Sequence, residues 1–198
     1  MTKEVLIIFV KNPVLGKVKT RLAATVGDEK ALEIYQQLLA HTQSSTENLS
    51  QDKWVFYSEK IDNTDLWDND QYYKSVQSGG DLGEKMLNAF SKCFAEGYKN
   101  VCIIGSDMME LDTAIIQDAF ASLDANDVVI GPAKDGGYYL LGMNKLHSSL
   151  FQNKQWSTES VLNDTLSNVE QQNLSYVKLE TMNDIDTESD WNTYLDSL

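Results

Sequence analysis

Short runs of apolar and β-branched residues alternate along the chain with longer stretches whose apolar positions recur at helical spacing, a pattern that predicts an α/β fold. Val5–Val10 reads as a first buried strand, and Asp28–Glu47 as a helix carrying Leu32, Tyr35, Leu38, Leu39 and Thr42 on its inner side. Trp54–Tyr57 and Tyr72–Val76 follow as short strands, separated by a polar, acidic stretch, Glu59–Asp70, expected to be an exposed loop. Ser78–Asp81 opens a helix with Leu82, Met86, Ala89, Phe90, Cys93 and Phe94 on one face, stopped near Gly97. Val101–Ile104 is apolar throughout, as a parallel strand covered on both sides should be. The remaining elements are a helix Thr113–Leu123, strands Val128–Ile130 and Tyr138–Met143, a helix Thr158–Val169, a strand Tyr176–Leu179 and a closing helix Thr187–Leu198. No repeat or linker interrupts the series, and 198 residues with 42% hydrophobic content suffice for one domain spanning 1–198.

Charge narrows the partners. Thirty acidic against 16 basic residues give a net charge of −14, which argues against nucleic acid or an anionic membrane, both of which need broad basic surface. Two cysteines, Cys93 and Cys102, make no disulfide framework, and the two histidines, His41 and His147, have no recognisable catalytic or metal-binding partner nearby. No segment approaches the ~20 apolar residues of a membrane span, and the start of the chain lacks a signal-peptide core, so a cytoplasmic protein is expected. Trp67 and Tyr72, read as exposed aromatics, are where a second copy would be expected to dock.

Against that acidity, four of the 16 cations, Lys11, Lys17, Lys19 and Arg21, crowd into the turn that leaves the first strand. Pro13 and Gly16 allow a tight excursion there, and Thr20 is placed to cap a helix beginning near Arg21, offering its backbone N–H groups to the anion these cations would hold. An exposed basic loop is the plainer alternative. Ser106-Asp107 closes the strand Val101–Gly105, where a carboxylate either holds Mg²⁺ beside phosphate oxygens or caps the next helix; spacing supports both. In Asp184-Ile-Asp186-Thr-Glu188-Ser-Asp190, Thr187 and Asp190 form a capping box, which leaves Asp186 free as a second metal ligand. The turn Asp135-Gly136-Gly137-Tyr138 is tight enough to explain its glycines, and bare enough to admit a ligand beside Asp135 and Tyr138. Trp156-Ser157-Thr158 either caps a helix or presents its N-terminus to an anionic acceptor. Gly79-Gly80-Asp81-Leu82-Gly83 is a third glycine-rich strand-to-helix corner. Neither GxxxxGK[ST] nor a GxGxxG after a strand occurs, so neither a P-loop nucleotidase nor a typical dinucleotide enzyme is supported.

The order KxPxxGxxKTRL, GGDLGEKM, GSD, GPxxDGGYYLLG, WST and DIDTxxDW, running from Val5 to Trp191, resembles bacterial proteins of the glycosyltransferase-A superfamily, of the arsenosugar-biosynthesis type. The first loop is also similar to that of guanylyltransferases acting on phospholactate or phosphoenolpyruvate, and more distantly to molybdenum-cofactor guanylyltransferases. The resemblance implies a nucleotide-diphospho-sugar-transferase fold, a Rossmann-like three-layer sandwich with a mostly parallel central sheet. It implies Mg²⁺ (or Mn²⁺) on Asp107 and Asp186, a triphosphate held by Lys11, Lys19 and Arg21, and base and ribose at Gly79–Gly83. An acceptor site would be lined by Gly137, Tyr138, Ser157 and Thr158, with Gly136 and Trp156 beside them. The family usually has Pro two residues after the Asp of GSD and Pro before the Trp of WST, where this chain has Met109 and Gln155.

The expected function is therefore Mg²⁺-dependent transfer from a nucleotide donor to a small-molecule acceptor. Glycosyl transfer from a nucleotide-sugar follows the whole-chain resemblance, with Asp135 as proton acceptor. Nucleotidyl transfer from an NTP, releasing pyrophosphate, follows the cationic loop, since the leaving β- and γ-phosphates need positive charge. A nucleotide-binding module without turnover is the reading from a different class, and rests on Met109 and Gln155.

Overall fold

The computed structural model describes residues 3–198. Its strands are β1 (Glu4–Val10), β2 (Asp52–Tyr57), β3 (Tyr72–Val76), β4 (Asn100–Ile104), β5 (Val128–Pro132), β6 (Tyr138–Met143) and β7 (Tyr176–Lys178). The helices are α1 (Thr20–Val26), α2 (Asp28–Thr46), α3 (Leu82–Ala95), α4 (Thr113–Ser122), α5 (Val161–Gln171) and α6 (Glu188–Leu195), with a short 3-10 turn at Ser148–Phe151. The strands form a seven-stranded sheet ordered β3-β2-β1-β4-β6-β5-β7. All neighbours are parallel except β6, which runs antiparallel to both β4 and β5. This is the expected mixed α/β sandwich with a mostly parallel sheet.

Period-2 alternation divides the core in two. Leu6, Ile8 and Val10 of β1 face one layer with Leu22 of α1, Ile34 and Leu38 of α2, and Ile116 of α4. Val5 and Ile7 face the other, with Met86 and Phe90 of α3 and Val169 of α5. Residues 5–8 are fully buried because helices cover both faces of a central parallel strand. Burial of the Cys102 side chain and its run of neighbours in β4 has the same cause.

The strand order positions the crevice at the carboxyl end of the sheet. The chain builds outward from β1 through β2 to β3, then returns to place β4 on the opposite side of β1. Strand order reverses between β1 and β4, so the loops leaving their carboxyl ends splay apart and open a crevice. The loop after β1 carries the cations, and the loop after β4 carries Asp107.

Several sequence expectations change. Trp67 and Tyr72 are not surface aromatics: each is only 2% exposed. They meet edge to face at 5.2 Å, and the Tyr72 hydroxyl lies 3.0 Å from that of Thr46 on α2. The polar loop above them is clamped by Asp65, which accepts from Tyr57 Oη at 2.6 Å and pairs with Lys74 at 2.8 Å. Composition could not reveal this, because one aromatic anchor holds down an otherwise exposed segment. Asp107 does not cap α4; Asp112 does, accepting from Ile115 N–H. Among the described residues, no helix is long and apolar enough to cross a membrane.

Candidate functional site

Tyr35, on the buried face of α2, ties the two splayed loops together. Its hydroxyl accepts from Lys11 N–H at 2.8 Å, donates to Lys11 O at 3.0 Å and lies 3.4 Å from Ser106 Oγ. Burial first, then the neighbouring Asp107 charge, push the Tyr35 phenol well above its ordinary range, so it stays a neutral bridge. Asn12 anchors the next stretch: its Oδ1 accepts from the N–H groups of Glu59 and Lys60, and its Nδ2 donates to Lys60 O. The chain then turns at Gly16, with φ +74°, and enters α1 at Thr20. Thr20 is the first helical residue and not the cap; that position belongs to Lys19, in left-handed geometry (φ 47°) and without a side-chain capping bond.

That backbone kink turns Lys19 inward. Its ammonium lies 2.8 Å from Asp107 Oδ1 and 3.0 Å from Asp186 Oδ1, with the side chain 5% exposed. Arg21, largely exposed, closes on the other oxygen of Asp186 at 3.0 Å. Burial opposes charge on Lys19, but Asp107 and Asp186 outweigh it and raise its pKa, keeping it cationic. The Asp186 loop is held in place from three directions. Ile185 N–H donates to Asp107 O at 3.0 Å, Met182 N–H donates to Pro132 O at 3.1 Å, and the capping box of Thr187 and Asp190 fixes the start of α6.

These groups line a cleft of about 800 Å³ that also receives Lys11, Asp135, Gly137, Tyr138, Trp156, Ser157 and Thr158. The far wall is built by close contacts that only glycine permits. A Cβ on Gly83 would overlap the Trp156 ring, and one on Gly136 (φ +89°) would overlap the Glu159 backbone. Gly137 N–H donates to Asp135 Oδ1 at 2.8 Å, closing the turn. Trp156-Ser157-Thr158 is not a helix cap: α5 begins at Val161, and its first N–H groups are spent on Thr158 O and Gly136 O. The first two N–H groups of α5 are therefore not offered to an acceptor there. Of the corner Gly79–Gly83, Leu82 lines the cleft, while Asp81 caps α3 and Gly80 N–H donates to Glu84. Lys17 turns away to pair with Glu59 at 3.3 Å, both side chains more than half exposed. Gly16 sits against Asp28.

Among the cleft-lining residues that sequence reading leaves out of the site are Tyr35, Glu159, Asp184 and Lys85. Asp184 shares the cleft with Asp186, and the Asp-x-Asp spacing was the signal. Lys85 lies on the same face of α3 as Leu82 and Met86, lines the cleft and forms no ion pair among the described residues. Its helical spacing, i and i+3, from a cleft-lining leucine was the available signal.

Asp107 and Asp186 aim one oxygen each at a single point already filled by a cation, and both are hard oxygen donors. Among the described residues no group of three or more His, Cys, Asp and Glu is disposed around a metal. Two such donors could hold Mg²⁺ or Mn²⁺ only where phosphate and water supply the remaining ligands.

Burial, then the charges of Asp186 and Asp135, push the Asp184 carboxyl up to about 6. The native state therefore binds a proton more tightly than the unfolded chain, and stability falls as pH rises from about 4 through 6. In chelator-treated protein, Asp184→Asn is expected to stabilise by about 1–2 kcal/mol at pH 7.5, allowing for solvent screening, and to add nothing at pH 4. Denaturant melts at the two pH values check this; a gain of equal size at both would refute it.

The sequence profile of a bacterial family, DUF2064, described as an uncharacterised protein conserved in bacteria, matches residues 39–158. Among curated proteins none matches. A protein from Desulfovibrio desulfuricans G20, provisionally named a nucleotide-diphospho-sugar transferase, is 33% identical and superposes with a TM-score of 0.92, covering 100% of this chain and 88% of that one. The inositol-1-phosphate CTP transferase of T. maritima shares the fold at 15% identity and a TM-score of 0.60, covering 99% and 94%. So does the Rv0371C protein of Mycobacterium tuberculosis H37Rv in complex with manganese, at 11% identity and a TM-score of 0.59, with full coverage of both chains.

Proposed function

Since the chain belongs to the DUF2064 family of bacterial proteins, on the match over residues 39–158, we propose that it is a metal-dependent transferase using a nucleotide-diphospho-sugar as donor. The acceptor is a small molecule. The observation that carries this reading is the convergence of Lys19, Arg21, Asp107 and Asp186 at the switch point between β1 and β4. Cations and metal-competent carboxylates in one crevice are what a diphosphate needs. The name given to the Desulfovibrio relative and the manganese held by the mycobacterial protein point the same way.

In this scheme Asp107 and Asp186 hold Mg²⁺ or Mn²⁺, which would neutralise charge on the departing diphosphate. Lys11 and Arg21 bind the phosphate oxygens, with Arg21 exposed enough to swing toward them and bidentate in its geometry. Tyr35 keeps the two loops in register. Tyr138, Trp156, Ser157 and Thr158 line the acceptor side, and Asp135, on the same wall, takes the acceptor's proton.

Nucleotidyl transfer is the second reading, favoured by the further cation Lys85 in the cleft and by the CTP transferase that shares the fold. A triphosphate donor would use Lys11, Lys19, Arg21 and Lys85 together. A thermal-shift screen with Mg²⁺ separates the readings, because a ligand that binds only the native state raises the midpoint by mass action. The expected result is a shift with one nucleotide-sugar, lost in Arg21→Ala, and none with the matching NTP. A shift confined to an NTP would replace glycosyl by nucleotidyl transfer. Tight binding with no product from any acceptor would leave a nucleotide-binding module.

A further inference from the structure

Lys19 occupies the point on which the two carboxylates of the metal reading converge. A divalent ion bridging Asp107 Oδ1 and Asp186 Oδ1 would lie where the ammonium now sits, 2.8 and 3.0 Å from those oxygens. Two cations cannot share that position, and the Lys19 side chain, 5% exposed, has no solvent-facing alternative without moving. The left-handed backbone at Lys19, a conformation that non-glycine residues adopt only at a cost, directs the side chain to this point at the head of α1.

Two carboxylates also fall short of what Mg²⁺ or Mn²⁺ requires. The ion needs about six oxygens, and no third acidic ligand completes a cage among the described residues. A free ion would therefore gain little from the protein while displacing a well-paired ammonium. A metal that arrives on phosphate brings its own ligands, and its phosphate oxygens give the displaced ammonium a new partner in the same cleft. Arg21 pairs with the second oxygen of Asp186 until phosphate arrives, so the carboxylate pair is not left without a cation before loading.

We infer that Lys19 is a resident cation that closes the Asp107–Asp186 pair to free divalent metal, so that the site accepts metal only as its complex with a phosphate-bearing ligand, onto whose oxygens Lys19 transfers. This rests on the reading of Asp107 and Asp186 as metal ligands. It makes metal and nucleotide binding mutually dependent, each strengthening the other by the same factor. Lys19 thereby changes partner from carboxylate to phosphate during loading of the site.

The test is Mn²⁺ binding to the intact chain, followed by the electron paramagnetic resonance signal of the free ion, with and without inorganic pyrophosphate. Wild type is expected to bind Mn²⁺ weakly alone and about tenfold or more tightly when pyrophosphate is present. Lys19→Gln, which keeps a hydrogen-bonding group without the charge, is expected to bind Mn²⁺ alone about tenfold more tightly than wild type and to gain little from pyrophosphate. Equal affinities of the two proteins for Mn²⁺ alone would overturn the inference, as would binding to neither under any condition. Should Lys19→Gln fail to fold, the wild-type comparison decides: no strengthening by pyrophosphate overturns it. The nucleotide-sugar screen is read independently, so loss of the Lys19 inference leaves a nucleotide shift intact, and absence of that shift leaves the Mn²⁺ result standing.

Discussion

Asp107→Asn is expected to reduce turnover by about three orders of magnitude while leaving the protein folded. The amide preserves the shape of the side chain but removes one of the two charged oxygens that converge on the cation position. With one carboxylate left, the metal would lose half of its charged protein ligands, and the departing phosphate would lose the charge that stabilises it. Stability should change little. Asp107 is 44% exposed, it caps no helix, and its backbone carbonyl still accepts from Ile185 N–H. Lys19 retains Asp186 as a partner, so the lost pair costs about 1 kcal/mol or less at this exposure. The experiment is turnover at saturating Mg²⁺ together with a thermal midpoint. Turnover within a fewfold of wild type would remove Asp107 from the metal site, whereas a collapsed midpoint would make its role structural.

Gly136→Ala carries the largest expected loss of stability. The residue sits at φ +89°, where a side chain adds about 1–2 kcal/mol of strain. Its Cβ would in addition land on the backbone of Glu159, which cannot rotate away as a side-chain tip can. The two segments are also bonded, Leu162 N–H donating to Gly136 O at 2.9 Å, so they cannot simply part. Together these effects should destabilise the protein by about 3 kcal/mol or more and lower its midpoint by roughly 6–12 °C. Function should suffer beyond stability, since the displaced segment carries Ser157 and Thr158 on the cleft wall. Below the melting range, nucleotide binding is expected to survive while the KM for the acceptor rises. A midpoint within about 2 °C of wild type would mean that the turn relaxes without strain.

How much of this was open to sequence reading depends on the kind of signal each element carries. The strands and most helices were legible because their determinants are local: an unbroken apolar run for β4, helical spacing for α3, a capping box at Thr187 and Asp190 for α6. The start of α5 was misjudged because Thr158 resembles a cap, yet its hydroxyl donates to Gln155 O and the helix waits until Val161. Trp67 illustrates the limit from the other side. It lies in a polar, acidic stretch that gives no sign of burial, and only β3, α2 and Asp65 packing around it make it part of the core.

The sequence alone determined the components of the site: cations after the first strand, carboxylates at Asp107 and Asp186, and glycines at the turns that must be bare. These follow from residue identity and from where each motif stands relative to its own strand or helix. Tertiary structure decided which of them meet. Residues 19 and 186 stand at opposite ends of the chain and come within 3.0 Å because the segment between β7 and α6 runs back from the sheet edge, Met182 N–H donating to Pro132 O and Ile185 N–H to Asp107 O beside β1. The same closure turned Lys17 out to Glu59, turned Lys19 in between two carboxylates, and brought Asp184 and Lys85 into the cleft. Local pattern fixes the conformation of a segment, whereas the pairing of distant charges depends on packing between segments, which no local pattern encodes.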